Sequence, residues 1–555
     1  MLKEYRMFGP PGTGKTTRIA KVTIPKAVDK YGMDGVVVTS FTKAAAKEIV
    51  SRGILIDERC VGTLHSLCYR ALGFPKLCAQ GSYMDEWNKK YPNWKLVGAK
   101  ISSLDDGSYL EGGDYDGDKL LAALNIARSK VIPEESWFGH IRKFNMAWSL
   151  FKSSNGIMDF TDLISEVIER DTPPPGNAKV MIVDEAQDLT PLQLKLCRKW
   201  GEKMDWIMLV GDDDQTIYSF IGASPDAFLT PEIPSSQKMV LNQSYRVPEA
   251  IFNAANRLIH RVSRRETKIY KPRPEKGIVT DIQESYNRPD MLFDDVKRKI
   301  DKGKTVMILA SCAYMIDPIK HGLIERKLPF GNKYRVTRGD WNPLAKGGDS
   351  RVSARDLLYM FLSSGSDGKF WNVPQFVGWA SYLGVGENGL KHNIGKKVIK
   401  KLKEEIGNNA AGLESTKNVA GMVLTGTAME KAMARDVDWL MGNLLPRRKQ
   451  SLNYPVSLYK KFQSKDFLEE LPPITIGTIH SVKGGEADVV YLYPDISVAA
   501  ATERMVGKGQ ESEDSLLRLF YVGMTRAKEE LVLMSPVVKR ISKKKIKVAF
   551  HMELN

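Results

Sequence analysis

The 555-residue sequence predicts an α/β fold in which short buried strands alternate with helices around open parallel sheets. Three observations carry that expectation. "YRMF", "GPPGTGKT" and "TTRIAKVTIPKAV" read in order as a strand, a tight loop and a helix that closes at Pro25. Val180–Val183 in "VMIVDEAQD" and Ile207–Val210 in "WIMLVGDDDQ" are apolar runs that turn acidic at their ends. That is the pattern of strands buried on both faces that deliver polar groups at their carboxyl termini. "KTVMILAS" repeats the buried-strand pattern farther along, with another strand at "KYRVT".

Composition narrows the function. Hydrophobic residues make up 43% and charged residues 27%, an ordinary soluble mix in a chain with room for roughly three or four domains. No apolar run approaches the ~20 residues of a membrane span, and the N-terminus lacks the apolar core of a signal peptide, so no membrane partner is expected. Five cysteines (Cys60, Cys68, Cys78, Cys197 and Cys312) form no CxxC pair, which argues against disulfide scaffolds and zinc sites and for a reducing cytoplasmic setting. The net charge of +16 fits a polyanionic partner.

The loop Gly9-Pro10-Pro11-Gly12-Thr13-Gly14-Lys15-Thr16 satisfies G-x-x-x-x-G-K-[ST] between a strand and a helix. Its glycines let backbone amides close around phosphate oxygens, and the helix start adds its positive dipole end. Lys15 is expected at the β- and γ-phosphates and the Thr16 hydroxyl on Mg²⁺. The nucleotide-binding run is therefore Gly9, Pro10, Gly12, Thr13, Gly14, Lys15, Thr16 and Thr17. Asp184 and Glu185 supply the second centre this chemistry needs: Asp184 for the metal, Glu185 to orient and deprotonate an attacking water. Gln215 offers a neutral amide to sense the γ-phosphate or that water. Arg246 in "LNQSYRVPEA" and Arg526 in "FYVGMTRAKEEL" offer guanidinium forks for charge spreading over the γ-phosphate.

In this order, with "VVVTSFTKAAAKEI", "VGTLHSLCYRAL", "MDFTDLI" and "ITIGTIHSVKGGEADVVYL" between and after them, the segments resemble superfamily 1 helicases of the UvrD/Rep/PcrA type. The resemblance implies two RecA-like P-loop motor domains in tandem, each with a mainly helical inserted subdomain. Motor domain 1A would comprise 1–66 and 159–241, insertion 1B 67–158, motor domain 2A 242–355 and 454–555, and insertion 2B 356–453. It also implies ATP and Mg²⁺ as cofactors, with Tyr245 stacked on adenine, Glu486 at the ribose, and Arg246 and Arg526 acting as fingers across the cleft.

For nucleic acid, the resemblance places Phe41, Tyr218 and Phe220 as base-stacking rings, and Thr63, His65, Thr478 and His480 at the backbone. Gly395, Lys396 and Lys397 in "HNIGKKVIKKLKEEIG" resemble the element that approaches duplex phosphates through a tight glycine turn. Ile221 stands where an arginine is expected, and the basic hairpin pattern "VVKRISKKKIKVAF" carries no evident strand-splitting aromatic pin in its region. The acidic stretch "DDGSYLEGGDYDGD" reads as a loop.

The expected activity is ATP- and Mg²⁺-dependent movement on single-stranded DNA with unwinding of duplex, 3′-to-5′, in replication, repair or recombination. Partners would be single-stranded DNA, single-strand/duplex junctions and other replication or repair proteins. The alternative is a translocase that strips proteins, or serves as a motor subunit, without efficient unwinding. A DNA-binding scaffold with a degenerate nucleotide switch is disfavoured because Lys15, Asp184, Glu185, Gln215, Arg246 and Arg526 are all intact. Family members carry a glutamine-bearing segment ahead of the phosphate loop that reads adenine. Here the sequence starts too close to the loop to hold it, so loose discrimination between ATP and GTP is expected, with Tyr245 as the main base contact.

Overall fold

The computed structural model describes residues 3–41, 56–80, 82–96, 116–332, 344–345, 352–364, 370–407, 416–497, 500–501, 509–541 and 544–547. The later part of "VVVTSFTKAAAKEI", most of the acidic stretch, the "KYRVT" segment and the tip of the basic hairpin lie outside those residues.

Two six-stranded parallel sheets organise the chain. The first contains β1 (Glu4–Phe8), β2 (Val36–Ser40), β3 (Val61–Gly62), β4 (Val180–Asp184), β5 (Trp206–Gly211) and β6 (Lys238–Val240), in the order β3-β2-β4-β5-β1-β6. Val36–Val38 and Val180–Val183 are fully buried, which is why these strands read as continuous apolar runs. Phe8 lies opposite Gly211, and Ser40 opposite Asp184. The loops after β1, β4 and β5 therefore open at one carboxyl edge. The chain leaves β1 across β5 and β4 to reach β2, and β6 is added on the other side. Such a reversal opens a crevice at that edge.

A short parallel pair, β7 (Gln243–Pro248) and β8 (Lys271–Arg273), links the first sheet to the second. The second sheet contains β9 (Ile278–Ile282), β10 (Val306–Ala310), β11 (Phe330–Asn332), β12 (Ile474–Thr478), β13 (Ala487–Leu492) and β14 (Ala527–Met534), ordered β11-β12-β10-β13-β14-β9. β15 (Val538–Ile541) and β16 (Lys544–Lys547) form the expected antiparallel hairpin. Among the described residues no helix is long and apolar enough to cross a membrane.

Two local expectations change. The helix after the phosphate loop does not close at Pro25 but runs to Tyr31. A π-helical stretch, Ile19–Thr23, sits just before the proline, and the wider turn takes up the missing donor. The expected boundaries at 66, 355 and 453 fall inside helices Leu64–Ala71, Ala354–Leu362 and Pro446–Phe462.

Between β3 and β4, helices Tyr83–Lys90, Asp116–Ser129 and Gly139–Asn155 pack around Trp87, Phe144 and Trp148. Asp159 fastens this insertion to the first sheet. Its carboxylate caps helix Phe160–Glu169 through the Asp162 N–H (2.8 Å) and accepts from Lys152 (2.6 Å), Arg128 (3.1 Å) and the Trp148 indole (3.0 Å). Burial opposes the charge on Asp159, but Arg128 and Lys152 outweigh it and hold the group below the usual carboxylate range. Removing one partner of such a buried set costs about 3–5 kcal/mol. Asp159→Ala is therefore expected to unfold at lower urea than the parent at pH 7, read by Trp148 fluorescence. Because the folded-state value is depressed, the contribution is complete above the unfolded value of about 4 and is lost as pH falls through the folded one. The gap between the proteins should narrow below about pH 4; equal stability at pH 7 would contradict the assignment.

Candidate active site

The phosphate loop is shaped by glycine where the backbone turns left-handed: Gly12 has φ +73° and Gly14 φ +75°. Gly9 N–H donates to Gly211 O at 2.9 Å, tying the loop's start to the end of β5. Pro10 O accepts the Thr13 hydroxyl at 2.8 Å. Lys15 Nζ reaches back to Gly9 O at 2.7 Å, so its ammonium lies inside the curl of the loop. Thr16 Oγ1 donates to Asp184 Oδ2 at 3.2 Å. Thr17, on the next position of the helix, also lines the cleft.

Glu185 follows in a left-handed conformation, φ 54° and ψ 38°, uncommon for a residue with a side chain. Its N–H donates to Asp184 Oδ1 at 2.9 Å, and its carboxylate accepts from Gln187 Nε2 at 2.5 Å. Burial and the charge of Glu185 push Asp184 up. Burial also opposes the charge on Glu185, but Lys15 and Lys483 outweigh it and hold that carboxylate down. A buried acid crowded by a second acid beside a threonine hydroxyl is a donor set that suits a hard cation such as Mg²⁺.

The second sheet meets these groups with its amino edge. Arg526 precedes β14 and is buried; its Nη2 donates to Gln215 Oε1 at 2.9 Å. Burial and the nearby Arg246 push its guanidinium down to about 9, so a polyanion placed between the two arginines would relieve the crowding. Glu486 precedes β13 and accepts from Arg246 Nε at 2.7 Å. β7 sits directly on the phosphate loop: the Tyr245 N–H donates to Gly12 O (2.9 Å) and the Ser244 hydroxyl to Pro11 O (2.8 Å). The Tyr245 ring is 71% exposed beside it. Gly12–Thr17, Asp184, Glu185, Gln215, Arg246, Glu486 and Arg526 line a cleft of about 560 Å³, and Tyr245 stands outside that lining.

Three residues not singled out from the sequence complete it. Gln187 joins the Glu185 carboxylate to the Asp212 N–H, which donates to Gln187 Oε1 at 3.0 Å. Lys483, between β12 and β13, bonds to Asp188, donates to Gln215 O at 3.0 Å and stands 3.7 Å from Glu185. Burial pushes Asp188 up to about 7 against the pull of Lys483. Gln187 and Asp188 lie in "EAQD" and Lys483 in "SVKGGE", and it is the approach of the two sheets that brings Lys483 onto Asp188.

The expected track residues form a neighbouring group. Phe41, Thr63, His65 and Ile221 line a cavity of about 40 Å³. Phe41 and Tyr218 are buried and stack on each other, with centroids 5.2 Å apart, instead of presenting open faces. The Tyr218 hydroxyl donates to His480 O at 3.4 Å, which draws the ring inward. Phe220, 48% exposed and edge-on to His480, keeps an accessible face. Burial pushes His480 down to about 4, so the neutral imidazole donates from Nε2 to Ile217 O at 3.2 Å.

A local repeat also appears. Thr63 Oγ1 accepts the Ser66 N–H at 3.3 Å while Ser66 Oγ donates to Thr63 O at 2.8 Å. Thr478 and Ser481 make the same pair at the same distances. "GTLHSL" and "GTIHSV" are thus one turn built twice, once beside each sheet.

Gly395, Lys396 and Lys397 are not brought to the cleft. They start helix Gly395–Gly407, which packs on helices Val373–Ala380 and Thr416–Val423. The left-handed residue of the preceding turn is Asn393, φ 60°. Gly395 is needed for close approach instead, since a Cβ there would lie 3.0 Å from Leu390 Cβ and 3.1 Å from Val423 O. Lys396 and Lys397 are exposed.

Residues 3–221 match the model of an AAA domain, and residues 450–536 that of the UvrD-like helicase C-terminal domain. The chain is 24% identical to the ATP-dependent DNA helicase PcrA of Bacillus subtilis, covering 94% of this chain and 79% of that protein. It is 22% identical to the ATP-dependent DNA helicase UvrD2 of Mycobacterium tuberculosis, covering 94% and 75%.

Gly12 provides a direct check on the cleft. A Cβ there would lie 2.4 Å from Arg246 Cβ and 2.9 Å from Ser244 Oγ, in a left-handed conformation that costs a side chain about 1–2 kcal/mol. Gly12→Ala is expected to lift β7 off the loop and weaken binding of a fluorescent nucleoside triphosphate about tenfold or more. Unchanged affinity would mean that the loop and β7 do not act together.

Proposed function

The chain belongs to the UvrD-like superfamily 1 helicases, and from that premise we propose a motor that hydrolyses ATP to move 3′-to-5′ along single-stranded DNA and separate duplex at a junction. The activity class is that of an ATP-dependent DNA helicase. Direction is carried over from the resemblance to the UvrD and PcrA type. One observation carries the mechanism: loops from the carboxyl edge of the first sheet meet residues leading into strands of the second side chain to side chain, in Arg526–Gln215 and Lys483–Asp188, while Arg246 of β7 pairs with Glu486 beside them.

In this reading the two sheets are the centres of two RecA-like motor domains, each interrupted by a helical insertion. Lys15 and the loop amides bind the phosphates, and Glu185, held by Gln187, orients and deprotonates the attacking water. Thr16 and Asp184 would hold Mg²⁺, which when bound supplies charge neutralisation at the β- and γ-phosphates. Arg246 and Arg526 meet the charge that spreads over the γ-phosphate, and Gln215 senses it. Tyr245 covers the base and Glu486 the ribose once Arg246 turns to the phosphate. Because Arg526 leads into the second sheet while the phosphate loop follows β1 of the first, hydrolysis depends on closure. Phe220 supplies the accessible stacking face, while Thr63, His65, Thr478 and His480 shape the backbone contacts. Lys396 and Lys397 serve duplex phosphates from the second insertion.

Lys15→Ala is expected to abolish single-strand-stimulated ATP hydrolysis while leaving single-stranded DNA affinity within about twofold, measured by release of phosphate and by fluorescence anisotropy. Stimulated hydrolysis at the parent rate would overturn the motor assignment. On tailed duplexes, the parent protein should unwind the 3′-tailed form and leave the 5′-tailed form paired. Robust protein displacement without strand separation would favour the stripping alternative.

A further inference from the structure

Behind the cleft lies a buried knot of charge that the nucleotide reading leaves unused. Asp212, Asp213 and Asp214 follow β5 in an unbroken run, and all three are buried. Three carboxylates in one dry pocket repel one another unless cations are brought in with them. Those cations come from segments more than fifty residues farther along the chain. Lys268, just before β8, has a side chain only 1% exposed; its Nζ stands 3.1 Å from Asp212 Oδ1 and 3.0 Å from Asp214 Oδ2 and bonds to Asp213. Arg265 forks onto Asp214 at 2.8 and 2.6 Å. Arg518, on helix Gly509–Met524, donates to Asp213 O at 3.0 Å.

Simple neutralisation accounts for Asp213 and Asp214, but Asp212 has a second task. Its Oδ1 accepts the Asp214 N–H (3.3 Å), and its Oδ2 accepts from Gln215 Nε2 at 2.7 Å. The two ends of a glutamine amide are alike in shape and opposite in hydrogen-bonding sense. With the nitrogen pinned on Asp212, the oxygen is left to face Arg526 Nη2, 2.9 Å away. A flipped amide would set N–H against guanidinium N–H and oxygen against carboxylate, losing both bonds and adding two repulsions.

We propose that Lys268 is a positioning residue for hydrolysis: by holding Asp212 in place it fixes the Gln215 amide with its oxygen toward Arg526 and the cleft. The inference rests on the reading of Gln215 as the residue that meets the γ-phosphate or the attacking water. It adds that the setting of this amide is imposed from behind, by a lysine that does not line the cleft.

The test is a double-mutant cycle on ATP hydrolysis at saturating single-stranded DNA, with Lys268→Met, Lys268→Arg, Gln215→Ala and the double variant Lys268→Met/Gln215→Ala. Lys268→Met should lower kcat about tenfold or more with KM for ATP within about twofold, and Lys268→Arg should recover most of the loss. The double variant should be no slower than Gln215→Ala alone, because the lysine acts through the amide. A multiplicative loss in the double variant, or parent kcat in folded Lys268→Met, overturns the proposal. If Gln215→Ala itself turns over at the parent rate, the reading of Gln215 falls and this proposal falls with it, a pattern distinct from the multiplicative one. Should Lys268→Met fail to fold, Asp212→Asn takes its place in the same cycle. It keeps the shape and two carboxylates for Lys268 but lets the amide turn either way, and the same two outcomes decide.

Discussion

The connection between β12 and β13 constrains everything around the cleft. Both strands run parallel beside β10, so the chain must travel from the carboxyl edge at Thr478, opposite Ala310, back to the amino edge at Ala487. Parallel crossovers usually take a dozen or more residues and a helix. Here Ile479–Glu486 does it in eight, with only a 3₁₀ turn at His480–Val482. The link turns at His480–Val482 and again at Gly484, which is left-handed (φ 85°), and it runs past the loops of the first sheet. His480 meets Ile217 and Tyr218 at one end, Lys483 meets Asp188 and the Gln215 carbonyl in the middle, and Glu486 meets Arg246 at the other. The candidate track and the candidate nucleotide cleft are thus joined by one eight-residue segment.

Electrostatics explains why such a cleft is poised for change. Asp184 is crowded by Glu185, and Arg526 by Arg246, each in a place where burial already works against charge. The pairs Arg246–Glu486 and Arg526–Gln215 are compromises within the protein, made with partners on hand. On the reading proposed above, a triphosphate and its metal offer both crowded groups a better counterpart. Binding energy would then be spent in part on breaking Arg246 away from Glu486, which couples nucleotide arrival to a rearrangement between the sheets.

What the sequence made legible was whatever is encoded locally. The phosphate loop needs glycines at left-handed positions, and buried parallel strands need unbroken apolar runs, so "GPPGTGKT", "VMIVD" and "WIMLV" announce themselves. Pro25 misled because a π-turn upstream absorbs it, which no propensity scale records. Lys483 and Lys268 stayed hidden because each becomes important only through a partner far along the chain: Lys268 meets its aspartates across more than fifty residues, and Lys483 meets Asp188 across 295. Phe41 and Tyr218 were expected as base-stacking rings and not as partners of each other, since stacking order depends on how two loops from different strands converge. The paired turns in "GTLHSL" and "GTIHSV" were present in plain letters, and their equivalence emerges once both are seen to cap with the same threonine–serine exchange.

That equivalence gives the motor reading its mechanical content. The two turns share the same threonine–serine hydrogen-bond pair, one opening an α-helix and the other a 3₁₀ turn, and on the motor reading a repeating backbone would be held by both at once. A closing cleft brings the sheets together and must change the spacing between the turns, because Thr63 follows β3 and Thr478 ends β12. On that reading, the contacts of the segment after Thr478 with Tyr218 and Gln215 link the turn to the loops that flank Glu185. Under this reading the stroke needs no flexible lever. A change in spacing between two matched grips follows from two stiff sheets, a short crossover and charges that are better satisfied when the sheets approach.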